Sequence, residues 1–73
     1  MVEVNQMRKF YDDIISPIRG EIVVVTDIRI NESMLRKYND TTTYATLRIL
    51  DEDGNPSYEG YDVFFVELHS KVV

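Results

Sequence analysis

The stretch that most constrains the fold is EIVVVTDIRI, residues 21–30, because its apolar residues recur with the two-residue period of a β-strand. The residues of one face are Ile22, Val24, Ile28 and Ile30, in a row that Thr26 interrupts. The opposite face is apolar only in its first half, at Val23 and Val25. A strand of this kind belongs to a sheet that is covered fully on one face and partly on the other.

The residues before this strand follow a different period. Apolar side chains recur every three or four positions at Val4, Met7, Phe10, Tyr11, Ile14, Ile15 and Ile18. This spacing predicts an amphipathic helix over residues 3–16, which Pro17 and Gly20 end.

Two more strands are expected after it. Residues 42–50 alternate apolar and polar, and residues 51–56 (DEDGNP) have the composition of a turn. A returning strand, interrupted at Gly60, then runs towards the C-terminus, with Phe64, Val66 and Leu68 on one face and Tyr61, Val63 and Phe65 on the other. Between the first two strands, Asn31 or Ser33 is placed to cap a short helix.

These elements predict a single α+β domain, residues 1–73, in which an N-terminal helix packs on a small twisted antiparallel sheet of three strands. The alternative is a small SH3-like barrel with an N-terminal helix, formed if the first strand bends near Thr26. A chain of 73 residues without cysteine has no disulfide to stabilise its small core. We therefore expect a homodimer, joined through Val63 and Phe65 on the sheet face that the helix leaves open.

The charge of the chain is unevenly distributed. The first 48 residues carry equal numbers of acids and bases, so the formal charge of −5 comes from the last 25 residues, where only Lys71 is basic. The acids there are Asp51, Glu52, Asp53, Glu59, Asp62 and Glu67. This charge disfavours direct contact with nucleic acid or an anionic membrane.

The sequence gives little support for catalysis. It has one histidine, His69, no cysteine, and no glycine-rich phosphate loop. The acids of the turn match part of a calcium-loop spacing, but Pro56 occupies the position that requires glycine. We predict no enzyme activity, no metal site and no cofactor.

The acidic stretch instead predicts a binding surface. Residues two apart on a strand lie about 6.6 Å apart, close to the spacing of successive phosphates along a nucleic-acid strand. A carboxylate row can therefore occupy a basic cleft that evolved for DNA, and Tyr58 and Tyr61 would add apolar anchors.

In its size, its lack of cysteine, its helix-first order and the stretch DEDGNPSYEGYDVFFVELH, the chain resembles the small acidic host-takeover proteins of bacteriophages. Within that group it is similar to DNA mimics, which include a Bacillus phage early protein that blocks the nucleoid protein HU. The resemblance implies a homodimer that presents carboxylates to the DNA-binding arms of HU. It also implies a location in the host cytoplasm, which agrees with an N-terminus that lacks the pattern of a signal peptide.

Two functions therefore remain open. One is a non-enzymatic inhibitor that binds the DNA-binding surface of a basic, HU-like protein. The other is a structural or adaptor module that assembles through its apolar sheet face, in which case association would be insensitive to salt.

Overall fold

The computed structural model of the chain describes residues 1–50 and 54–73. The elements in chain order are β1 (Met7–Phe10), β2 (Ile22–Ile30), α1 (Glu32–Tyr38), β3 (Thr43–Leu50), β4 (Pro56–Asp62), α2 (Val63–His69) and β5 (Ser70–Val72). The strands form one antiparallel sheet in the order β4-β3-β2-β1-β5. The predicted α+β fold with three strands is therefore wrong, because the structure is a five-stranded sheet with two short helices.

The predicted N-terminal helix is wrong in both versions of the expected fold. Residues 7–10 form β1, which pairs with β2 on one side and with β5 on the other. The helical spacing of the apolar residues was coincidental, since Ile15 is fully exposed whereas Phe10 and Ile18 are buried. The backbone also turns at Asn5, whose φ is 69°, a conformation that a helix cannot contain.

The predicted C-terminal strand is wrong beyond Asp62. Residues 63–69 form α2, although the sequence VFFVELH favours a strand by composition. In the helix, Val66 faces the core and is buried, while Phe64 and Leu68 face solvent. The expected two apolar strand faces therefore do not exist.

The two central strands are confirmed to within one residue at each end. β2 and β3 pair along their length, and the register shifts between Val25 and Asp27. The shift is a bulge at Thr26, where the sequence suggested a bend. The bulge puts Ile28 on the core side with Val25, whereas Ile22 and Val24 face away from the core. The predicted single row of Ile22, Val24, Ile28 and Ile30 is therefore wrong.

The sheet curls around its core. The rings of Phe10 on β1 and Tyr61 on β4 have centroids 6.2 Å apart. Because β2 and β3 lie between these strands, a flat sheet would separate them by about 14 Å. Tyr61 also stacks on Phe65 of α2, with centroids 5.5 Å apart. The rings of Phe10, Tyr61 and Phe65 thus fill the space inside the curled sheet, and α2 lies across its opening.

Two polar residues lie within this core. Arg8 and Ser70 are both buried, and the Arg8 Nε donates to the Ser70 Oγ at 2.7 Å. The guanidinium also donates to the Ser70 carbonyl and to the Gln6 side chain. A buried guanidinium is tolerated because its donors are satisfied in this way.

A candidate partner-binding surface

The described part of the predicted acidic surface is β4 with the residues that lead into it. All residues from 54 to 60 are exposed. β4 pairs with β3 along one side and lies at the edge of the sheet, so its other side presents unpaired backbone groups. Tyr58, which was predicted as an anchor, is 59% exposed on this strand. β4 therefore combines the two features that a docking strand requires, exposure and a free edge.

The two acids of β4 project to opposite faces of the sheet. Residues that oppose each other across a strand pair share a face. Glu59 opposes the buried Leu47 and so lies on the core side, whereas Asp62 opposes Tyr44 on the outer side. The carboxylates on either side of Gly60 thus do not form a single row.

Glu59 is tied to the aromatic cluster beneath it. The Tyr61 hydroxyl donates to its carboxylate at 2.9 Å. The pKa of the Tyr61 hydroxyl is raised above its ordinary value. Burial is the larger cause, and this hydrogen bond is the second. Because Tyr61 packs on Phe10 and Phe65, it belongs to the core and is not the free anchor that the sequence suggested.

Two more of the acids that were predicted to bind the partner, Asp62 and Glu67, lie within the described residues, and both have structural partners. Asp62 caps α2, where its side chain accepts from the Phe64 backbone N–H at 2.7 Å. Glu67 lies on α2 and pairs with the terminal ammonium of Met1 at 2.9 Å. The hydrogen bond from that ammonium lowers the pKa of the Glu67 carboxyl. Both carboxylates stabilise the fold, which the sequence pattern did not reveal.

Asp51, Glu52 and Asp53, which were also predicted to bind the partner, lie outside the described residues.

The predicted dimer face is occupied by the chain itself. Val63 and Phe65 lie on α2 and pack against the core. The Phe65 ring lies 6.1 Å from that of Phe10 and 4.7 Å from that of His69, centroid to centroid. Val63 and Phe65 therefore do not lie on an open sheet face that a second copy could cover.

Sequence reasoning missed a different exposed surface. The outer face of the sheet, which is the face turned away from the core, exposes Met7, Ile22 and Leu50. The alternation in residues 21–30 already placed Ile22 and Val24 together, but the predicted helix hid the fact that β1 lies beside them. Recognising residues 7–10 as a strand would have revealed this face.

Within residues 1–50 and 54–73, no three histidine or acidic side chains are grouped so that they could hold a metal ion. No helix in the same ranges is long and apolar enough to cross a bilayer. Comparison with protein-family models, with curated proteins and with solved structures finds no match to the chain. Any assignment of function therefore depends on the surfaces described above.

Proposed function

We propose that the protein is a non-enzymatic inhibitor that binds the DNA-binding surface of a basic, HU-like nucleoid protein in the cytoplasm. We call β3, β4 and the acid-rich residues 51–53 between them in the sequence the acidic hairpin. This hairpin would occupy that surface in place of DNA phosphates. The observation that carries the proposal is the exposure of every residue from 54 to 60, next to the acid-rich residues 51–53 of the sequence. No lysine or arginine occurs between Arg48 and Lys71, so positive charge within this segment does not weaken its attraction for a basic partner.

The acids that carry the binding are fewer than the six of the C-terminal stretch. Asp62 and Glu67 each have a partner within the chain. Glu59 also has a partner, the Tyr61 hydroxyl, and lies on the core side of β4. The proposal therefore rests on Asp51, Glu52 and Asp53, with Tyr58 as the exposed aromatic contact. Tyr58 supplies apolar area of the kind that makes interface anchors effective.

The free edge of β4 adds a second source of affinity. An extended basic segment of the partner would pair with this edge as an additional strand. Its backbone groups would bond with β4 while its cations face the hairpin acids. Charge would accelerate association, and backbone pairing would slow dissociation.

A binding assay with purified HU tests the proposal. The reverse-charge variant Asp51→Lys, Glu52→Lys, Asp53→Lys is compared with a control of equal charge change, Glu3→Lys, Asp13→Lys, Glu32→Lys, whose three acids are exposed and lie in the charge-balanced part of the chain. We expect the hairpin variant to bind at least tenfold more weakly than the control, on the order of the loss found for complementary interface charges. Binding of the unaltered protein should weaken as salt rises and should compete with duplex DNA.

The result that overturns the proposal is equal affinity of the two variants for HU. Binding that persists at high salt, or that leaves DNA bound to HU, would also overturn it, because phosphate mimicry requires both salt sensitivity and competition.

The adaptor function, in the form predicted from Val63 and Phe65, has less support, since both residues are partly buried against the core.

A further inference from the structure

One end of the outer sheet face carries two adjacent rows of side chains, of which the proposed inhibitor function uses only Tyr58. Strand register places Lys71, Lys9 and Ile22 in one row. The next row runs through Met7, Val24, Arg48 and Tyr58. Both rows lie opposite the core, because their neighbours along the strands, Val23 and Leu47 among them, are buried.

The centre of these rows is apolar. We call Met7, Ile22, Val24 and Leu50 the outer patch; together they line one shallow depression in the surface. Met7 is 48% exposed, and Ile22 and Leu50 are each 53% exposed. Three apolar side chains grouped at this exposure around the partly buried Val24 differ from the isolated exposed apolar residues of an ordinary surface.

The border of the outer patch is cationic, although the protein as a whole is acidic. Lys9, Arg48 and Lys71 belong to its two rows, and neither row holds a carboxylate within the described residues. Arg48 and Lys71 are exposed, and Glu21 lies at the end of the depression. Unlike Arg29, which pairs with Asp27, and Arg8, which is buried, these two exposed cations point towards solvent.

We propose that the outer patch is a docking surface for an acidic, amphipathic segment of a partner protein. Apolar side chains of that segment would cover Met7, Ile22 and Leu50. Its carboxylates would meet Arg48 and Lys71, and the guanidinium of Arg48 suits a carboxylate because it can donate two parallel hydrogen bonds. This chemistry is the opposite of that at the acidic hairpin, so the protein would bind an acidic and a basic partner through different residues.

The charge distribution favours such a partner over a second copy of the chain. Symmetric packing of this face on its copy would bring two sets of three cations together, and repulsion of this kind opposes association. An acidic segment instead neutralises the cations while covering the same apolar area.

The test uses a fluorescein-labelled peptide of alternating leucine and glutamate. Fluorescence anisotropy measures the affinity of this peptide for the protein. Amide NMR spectra of the isotope-labelled protein locate the contact. A serine–glutamate peptide of equal charge and a leucine–lysine peptide serve as controls. We expect only the leucine–glutamate peptide to bind, with changes at the Met7, Ile22 and Leu50 signals.

Two charge variants then define the site. Arg48→Glu with Lys71→Glu should weaken peptide binding by about tenfold, as expected for two interface charge pairs. The matched control is Arg36→Glu with Lys37→Glu, two exposed cations in the last turn of α1, and it should retain affinity. Ile22→Ser should also weaken binding, and this keeps the test informative if the charge reversals alter folding.

Three outcomes overturn the proposal. The first is equal peptide affinity of the two charge variants. The second is displacement of the peptide by a single-stranded oligonucleotide that perturbs the same amide signals, which would assign the face to nucleic acid. The third is a change of the Ile22 and Leu50 signals with protein concentration alone, which would assign it to a second copy. None of these outcomes bears on binding of HU through the hairpin.

Discussion

The two helices have the same length and each begins at a capping side chain, but only α2 is held by the core. Asn31 caps α1 by accepting from the Met34 backbone N–H at 3.1 Å, and none of the helix's residues is buried. Asp62 caps α2 in a similar way, and Val66 of that helix is fully buried. Local signals thus specify α1, while packing imposes helix on the β-favouring sequence of α2.

The largest difference between the helices should appear on truncation of an apolar side chain. Val66→Ala removes buried methyl groups and should lower the free energy of unfolding by about 2 kcal/mol. Met34→Ala on α1 should change it by less than about 0.5 kcal/mol, because Met34 is partly exposed. Urea denaturation measures both values, and similar losses would contradict the claim that only α2 is held by the core.

The next effect concerns the end of α2. The buried Ser70 hydroxyl donates to the Val66 carbonyl and accepts from Arg8. Ser70→Ala leaves that guanidinium short of an acceptor, and we expect a loss of about 1.5 kcal/mol. Ser57→Ala removes an exposed hydroxyl bond to Ile49 and should cost less than about 0.5 kcal/mol. If the two serine variants unfold at the same urea concentration, the buried bond does not anchor α2.

Loss of a cap should affect α1 locally. Asn31→Ala should destabilise α1 by about 1 kcal/mol. Since α1 buries no residue, we expect faster hydrogen exchange at its amides with little change in global unfolding. Asp62→Ala removes the equivalent cap from α2, where Val66 should keep the helix folded. Comparable loss of protection in both helices would show that caps, rather than packing, maintain α2.

The smallest effect should be the pH dependence that Glu67 adds to α2. The Met1 ammonium lowers the pKa of this carboxyl below its ordinary value of 4.5. A carboxyl whose pKa is lowered by folding stabilises the fold above its unfolded pKa, and the contribution disappears as pH falls through the folded value. The melting temperatures of the unaltered protein and of Glu67→Gln should differ slightly at about pH 7 and converge at about pH 3. Acetylation of the Met1 amine should reproduce the variant, and a constant difference across this range would exclude the ion pair as its cause.

The sequence predicted those elements whose determinants are local. The period of residues 21–30 and 42–50 identified β2 and β3. A short helix capped by Asn31 or Ser33 was also expected, and Asn31 is the cap of α1. A local pattern does not show whether the sheet lies beneath a helix, and Tyr38 of α1 is 70% exposed.

The elements that were predicted wrongly depend on partners distant in the sequence. β1 is a strand because β2 and β5 supply its hydrogen bonds, and α2 is a helix because Val66 enters a core built by other segments. The acidic hairpin could be identified by composition alone. The partners of Asp62 and Glu67 could not be identified in this way. The partner of Asp62 depends on where α2 begins, and that of Glu67 depends on contact with the first residue of the chain.

The pairing of β1 with β5 also has a consequence for how the chain reaches this structure. The Arg8–Ser70 hydrogen bond joins residues 62 positions apart, and closing so long a loop costs entropy before the new contacts offset it. The antiparallel pair of β2 and β3 closes a much shorter loop, which contains α1. We therefore expect this pair to form earlier and the β1–β5 edge to form last. On a ribosome, the sheet would stay incomplete, with β1 lacking its outer neighbour, until residues 70–72 have emerged.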